Sequence, residues 1–155
     1  MQKRSSWVGG FTLFVSMMAF AHGDASQVPA ADLNELQLQR VNELYQEKIE
    51  SIFEQKCFDF HSTKPRYPWY YAIPGIKQLI DNDIEEGMHH FDFTNGFPFK
   101  GHHPLQEQLE EIKESVIENT MPPWDYRLIH WNSSLTEKEK ESILQWVEQG
   151  QKTLP

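Results

Sequence analysis

The 155-residue chain has a single cysteine, Cys57. It can form no internal disulfide, so the thiol is free, bridges two chains or serves as a covalent attachment point. Basic residues are also scarce, with 14 Lys+Arg against 23 Asp+Glu. That balance argues against nucleic acid and anionic lipid as partners and suits docking to a protein with a basic patch. No apolar run beyond residue 20 is long enough to span a membrane. There is no glycine-rich phosphate loop and no defensible Ser-His-Asp set. The acidic pairs Glu85–Glu86 and Glu110–Glu111 read as solvated faces, with no sign of a paired catalytic acid and base.

The beginning of the chain is different. Lys3 and Arg4 precede an apolar run from Trp7 to Phe20, which ends on the small residues of "AFA". This is the pattern of a secretory signal peptide, expected to span residues 1–21 and to be cleaved after Ala21. Gly9, Gly10, Thr12 and Ser16 interrupt the run, which is shorter than the roughly 20 apolar residues of a membrane span. Cleavage takes the basic count from 14 to 12 against 23 acids, a net charge of −11. The expected location is periplasmic or secreted, with no integral membrane segment left. A flexible leader is expected over 22–31, one domain over 32–150 and a tail over 151–155.

Within the domain the apolar spacing is helical. From Leu33 to Phe53 the steps are mostly three and four, with Asp32 and Glu35 placed as a capping box. A helix is expected from Asp32 to about Lys56. Residues 62–74 carry three prolines among Tyr67, Trp69, Tyr70 and Tyr71 and read as a loop. A short helix fits Ile76–Gly87, and Met88–His103 reads as mostly loop rather than a hairpin. Pro104 suits the first position of a helix that aligns Leu105, Leu109, Ile112 and Val116. "MPPWDYRLIHWNSS" reads as a second aromatic loop. Thr136 and Glu139 cap the last helix, which Gly150 is expected to stop. The fold class is therefore all-α, with long proline- and aromatic-rich loops that a flat apolar cofactor would organise.

The chemistry concentrates in "KCFDFHS". His61 follows Cys57 at the spacing of the haem attachment motif C-x-x-C-H, but Phe60 replaces the second cysteine. Alone, this half motif is weak. It is followed in order by "KPRYPWYYAIPGIKQLI", "DNDIEEGMHHFDF", "LEEIKESVIENT", "MPPWDY", "IH" and "LTEKEKESILQWVEQG". In that order and spacing the chain resembles the haem-binding domain proteins, a branch of the class I c-type cytochromes, from about Val41 to Glu148. The resemblance implies a cytochrome c-like fold around one haem, with His61 as proximal iron ligand and Met121 as distal ligand. Pro122 and Pro123 would stiffen the methionine loop. His/Met ligation fills both axial sites and suits one-electron transfer to a protein redox partner, not enzymic turnover.

Phe60 departs from that pattern, because phenylalanine forms no thioether. Haem is then held by one thioether through Cys57, held without a covalent bond while Phe60 packs on its edge, or lost. The last case makes the chain a haem-free interaction or sensing module on the same fold. His89–His90 and His102–His103, with Asp92, are a further candidate metal site, since imidazole suits zinc and copper. On an extended segment each pair would offer one ligand inward; the plainer reading is polar loop residues near a haem edge or at the surface.

Overall fold

A computed structural model describes residues 30–155. The expected signal peptide, and the leader as far as residue 29, lie outside the described residues. Seven α-helices are present among them: α1 Ala30–Lys48, α2 Glu50–Lys56, α3 Phe58–His61, α4 Ile76–His90, α5 Leu105–Glu118, α6 Trp124–Ile129 and α7 Glu137–Thr153. A 3₁₀ turn covers Trp69–Ala72, and two strands of two residues each, β1 Phe91–Asp92 and β2 Lys100–Gly101, complete the elements. The fold is all-α, and no described helix is long and apolar enough to cross a membrane.

The core forms where α1, α5 and α7 pack together. Val41, Tyr45, Ile49 and Phe53 recur every four residues, which puts them on one helical stripe, and all four are buried. Leu109, Ile112 and Val116 face them from α5, and Ile143, Trp146 and Val147 from α7. The indole Nε1–H of Trp146 donates to the Val41 carbonyl at 3.2 Å, so the first and last helices are joined at their crossing. Phe93, Phe97 and Phe99 complete the cluster; the Tyr45 and Phe99 rings meet edge-on at 5.4 Å.

Several elements differ from the sequence reading. The first long helix starts at Ala30, so Asp32 lies inside its first turn, and it is interrupted at Ile49. A one-turn helix, α3, then carries Phe58–His61, beyond the expected end of the first helix near Lys56. Helix α4 runs through His90, because histidines in a last turn suit the carbonyl end of a helix. His89 and His90 are therefore helical, not extended. The phenylalanine-rich segment does form a small antiparallel hairpin, pairing Phe91 with Gly101 and Asp92 with Lys100. Its partner strand has no apolar alternation of its own to announce it. The second aromatic loop contains α6. The Thr136–Glu139 capping box forms as expected.

Gly150 does not stop α7, which continues to Thr153 and delivers Leu154 into the core. The glycine serves packing instead: a Cβ there would lie 2.9 Å from Leu109 Cδ1 and 3.4 Å from Val41 Cγ1. Its absence lets α7 approach α1 and α5 closely.

Candidate functional site

Helix α3 sets Cys57 and His61 one turn apart. The backbone N–H groups of Phe60 and His61 both donate to the Cys57 carbonyl at 3.1 Å. Ser62, fully buried, closes the turn: its hydroxyl donates to the Phe58 carbonyl at 2.7 Å and accepts from the Lys64 N–H at 3.1 Å. Arg66 holds the segment from outside. Its guanidinium binds both oxygens of Asp59, at 2.9 and 3.2 Å, and donates to the Glu54 and Gln55 carbonyls at the end of α2.

The hairpin fixes His61. Its carbonyl accepts from the Phe93 N–H at 2.8 Å, and its Nδ1 lies 3.3 Å from the Phe91 carbonyl oxygen. A carbonyl only accepts, so Nδ1 carries the proton and Nε2 keeps a free lone pair. Burial holds the His61 pKa below its ordinary value against the opposing pull of the Phe91 and Gly87 carbonyls, so the ring is neutral, the form that binds a metal. Burial also pushes the Cys57 thiol up to about 12, which keeps it protonated at neutral pH.

Helix α4 closes one wall through Gly87. A Cβ there would lie 2.6 Å from the Phe60 carbonyl oxygen, so only glycine allows α3 and α4 this close. On the far side, α5 ends at Asn119 in the left-handed conformation, φ 55°, and the chain turns into Met121, Pro122 and Pro123. The Lys56 ammonium ties down the stretch after α6, donating to the Asn132 carbonyl and, at 3.2 Å, to that of Ser134.

These elements enclose a mainly apolar cavity of about 430 Å³. The five residues singled out in the sequence, Cys57, Phe60, His61, Met121 and Pro122, all line it. The sequence reading missed the rest of the wall: Phe53, Phe91 and Phe93 on the histidine side, and Ile112, Val116, Leu135 and Ile143 opposite. Asp83, Glu86, His90 and Glu111 also reach it. The spacing of Ile112 and Val116 signals burial, but not that they border a cavity. Phe60 lines the cavity and packs edge-on against Tyr126, ring centres 4.8 Å apart.

One imidazole of each histidine pair meets the other: the His89 and His102 rings lie 4.0 Å apart with planes tilted by 33°, while His103 pairs with Glu107 at 3.0 Å and Glu111 at 3.6 Å. Among the described residues no group of three or more His, Cys, Asp or Glu side chains is placed to hold a metal ion. His130 is not part of the cavity wall; it stacks on Tyr126.

Residues 13–149 match the model of a haem-binding domain. The chain belongs to the haem-binding domain family. It is also similar to cytochrome c peroxidase Ccp of Escherichia coli (strain K12), with 32% identity over 93 residues. That match covers 59% of this chain but only 20% of the relative, so the chain spans about a fifth of that protein's length. No solved structure matches this haem-binding domain. Haem is its cofactor, and the cavity fits one. The volume falls within the roughly 300–1,000 Å³ of small-molecule and cofactor sites. Its walls are mainly apolar and aromatic, and a neutral imidazole with a free nitrogen, a thiol and a thioether all border it.

Proposed function

We propose that this haem-binding domain is an exported one-electron carrier. His61 and Met121 would hold the haem iron, and Cys57 would supply a single thioether. When bound, the haem supplies an iron that cycles between two oxidation states. The observation that carries the reading is that His61, Met121 and Cys57 border one apolar cavity.

Each side chain has a distinct part. His61 offers Nε2, its ring oriented by the Phe91 carbonyl; such partners fix the tautomer and raise ligand basicity. Met121 offers a neutral sulfur from a loop stiffened by Pro122 and Pro123, and a His/Met pair favours electron transfer over binding of small molecules. Cys57 anchors one edge. Phe60 gives an apolar surface where a second thiol would stand, and the apolar wall keeps water from the iron. The acidic surface suits a redox partner with a basic docking patch. The similarity to a peroxidase supports haem binding. It covers too little of that protein to bring its activity with it, and we read this domain as a carrier, not an enzyme.

A visible spectrum of protein matured with a haem-attachment system tests the reading. A Soret band that shifts on reduction is expected, and its absence overturns the reading. Haem that stays with the protein in acid-acetone is attached through Cys57; haem that is extracted is held by ligation and packing alone. Met121→Ala should open the sixth position to carbon monoxide. Unchanged carbon monoxide binding removes Met121 from its role. Recovery of a chain beginning at His22 from the periplasm tests export.

A further inference from the structure

Of the four histidines in the two pairs, one from each comes to the same place on the surface. His89 lies in the last turn of α4 and His102 just beyond β2, and both are exposed. Their rings lie 4.0 Å apart with planes tilted by 33°. Their chain neighbours are engaged elsewhere: His90 borders the cavity, and His103 pairs with Glu107 and Glu111. The Asp92 carboxylate accepts from the Thr94 N–H at 2.9 Å. The carrier function uses neither His89 nor His102.

The backbone builds this meeting. Strand β1 follows α4 directly and pairs Phe91 with Gly101, next to His102. A Cβ on Gly101 would lie 2.7 Å from the His90 carbonyl oxygen, so only glycine lets the second arm come this close to the end of α4. The buried Gln108 donates from its side-chain amide to the His103 carbonyl at 2.9 Å and holds the outgoing chain. Both backbones are thus fixed, while both exposed rings are free to turn. Imidazole suits zinc, copper and nickel. An ion about 2.0–2.1 Å from one nitrogen of each ring needs ring centres roughly 5 Å apart, an opening of about an ångström that two side-chain rotations supply. The excess of Asp+Glu over Lys+Arg, 23 against 14, favours cations at the surface.

We propose that His89 and His102 together bind one divalent ion of the zinc, copper and nickel class, and that the ion clamps the hairpin. Each imidazole gives the lone pair of one ring nitrogen. Water fills the other positions, since no third His, Cys, Asp or Glu among the described residues is placed to join them. Two protein ligands make an exchangeable site, unlike the four of a closed structural zinc centre. The effect follows from what the hairpin carries. The Phe91 carbonyl and the Phe93 N–H orient His61, so tying the end of α4 to the end of β2 steadies the strand that positions that imidazole. The metal site does not rest on the haem reading of the cavity.

Calorimetric titration of the full chain with zinc chloride tests the site. Losing a ligand costs at least what losing an outer partner does, so His89→Gln and His102→Gln should each weaken one binding event on the order of tenfold or more. The double variant should lose little beyond either single, because one imidazole alone does not hold the ion. His90→Gln should leave the event unchanged. Zinc taken up by other groups, the cavity included, persists in the double variant and is subtracted. In wild-type protein zinc should shift the ring resonances of His89 and His102 together, a measurement that needs no variant to fold. Zinc affinity indifferent to both substitutions, or ring resonances that do not move, overturns the site. Losses that simply add overturn the sharing of one ion. For the clamp, bound zinc should slow amide hydrogen exchange at Phe93 in wild-type protein and not in the double variant. Exchange unchanged by bound zinc overturns the clamp. A protein with no Soret band instead sinks the carrier reading and leaves the zinc result standing.

Discussion

His61 is oriented by β1 and the residue after it: its Nδ1–H donates to the Phe91 carbonyl, and its backbone carbonyl accepts from the Phe93 N–H, which leaves Nε2 as the ring's lone-pair nitrogen. Cys57, one turn away, is shielded rather than activated. With its thiol pKa pushed up to about 12, the reactive thiolate forms only as the pH rises toward that value. In haem-free protein at neutral pH it should react with an aromatic disulfide reagent at least about a hundredfold more slowly than an unperturbed thiol. Unfolding in guanidinium should abolish the difference, as a stopped-flow assay can check. Phe60 faces the same cavity, so Phe60→Cys should allow a second thioether, seen as haem that resists extraction more completely and a shifted pyridine haemochrome band. Tyr45 is a different case. It is fully buried, and its hydroxyl has no hydrogen-bond partner among the described residues. Tyr45→Phe removes an unsatisfied polar group and keeps the ring contacts, so it should stabilise the protein by about 1 kcal/mol in urea unfolding.

At the scale of elements, two glycines within helices make a contrast. In Gly87→Ala the new methyl meets a backbone oxygen, which can yield only if α3 and α4 separate. Overpacking costs roughly 1–3 kcal/mol, against a gain of about 1 kcal/mol in helix propensity. A net loss of stability together with weaker haem retention is expected. In Gly150→Ala the methyl meets the end of the Leu109 side chain, which can turn away. Its stability should stay within about 1 kcal/mol of wild type, with haem retention unchanged. Gly150 also shows where sequence reading stops. A glycine at the end of a helical pattern resembles a C-terminal signal, and only the approach of Leu109 and Val41 reveals its actual use. Helices α5 and α7 were legible because their apolar stripes repeat and Thr136–Glu139 marks a start. The break at Ile49, the two-residue strands and the six-residue α6 are too short for any periodicity to register. The site divides in the same way. Cys57, His61 and Met121 stand out by chemistry, whereas the Ile112 and Val116 positions facing the cavity look like any other core residue.

For the whole molecule, haem and stability are linked. Haem held without a covalent bond should stabilise the fold by about 2.7 kcal/mol when free haem is at a hundred times its dissociation constant. Melting curves with and without haem measure this. A melting temperature unchanged by saturating haem would mean that the folded protein does not bind haem in preference to the unfolded chain. The Lys56 contacts with Asn132 and Ser134 carry a consequence for the order in which the protein comes together. They join residues 76 and 78 positions apart, while Cys57 and His61 are already neighbours within one helical turn. Local turns form faster than long loops close. A newly made chain should therefore bring its thiol and imidazole together before the stretch after α6 is tied down, so a planar group can meet both on a single turn of helix while the far side is still open.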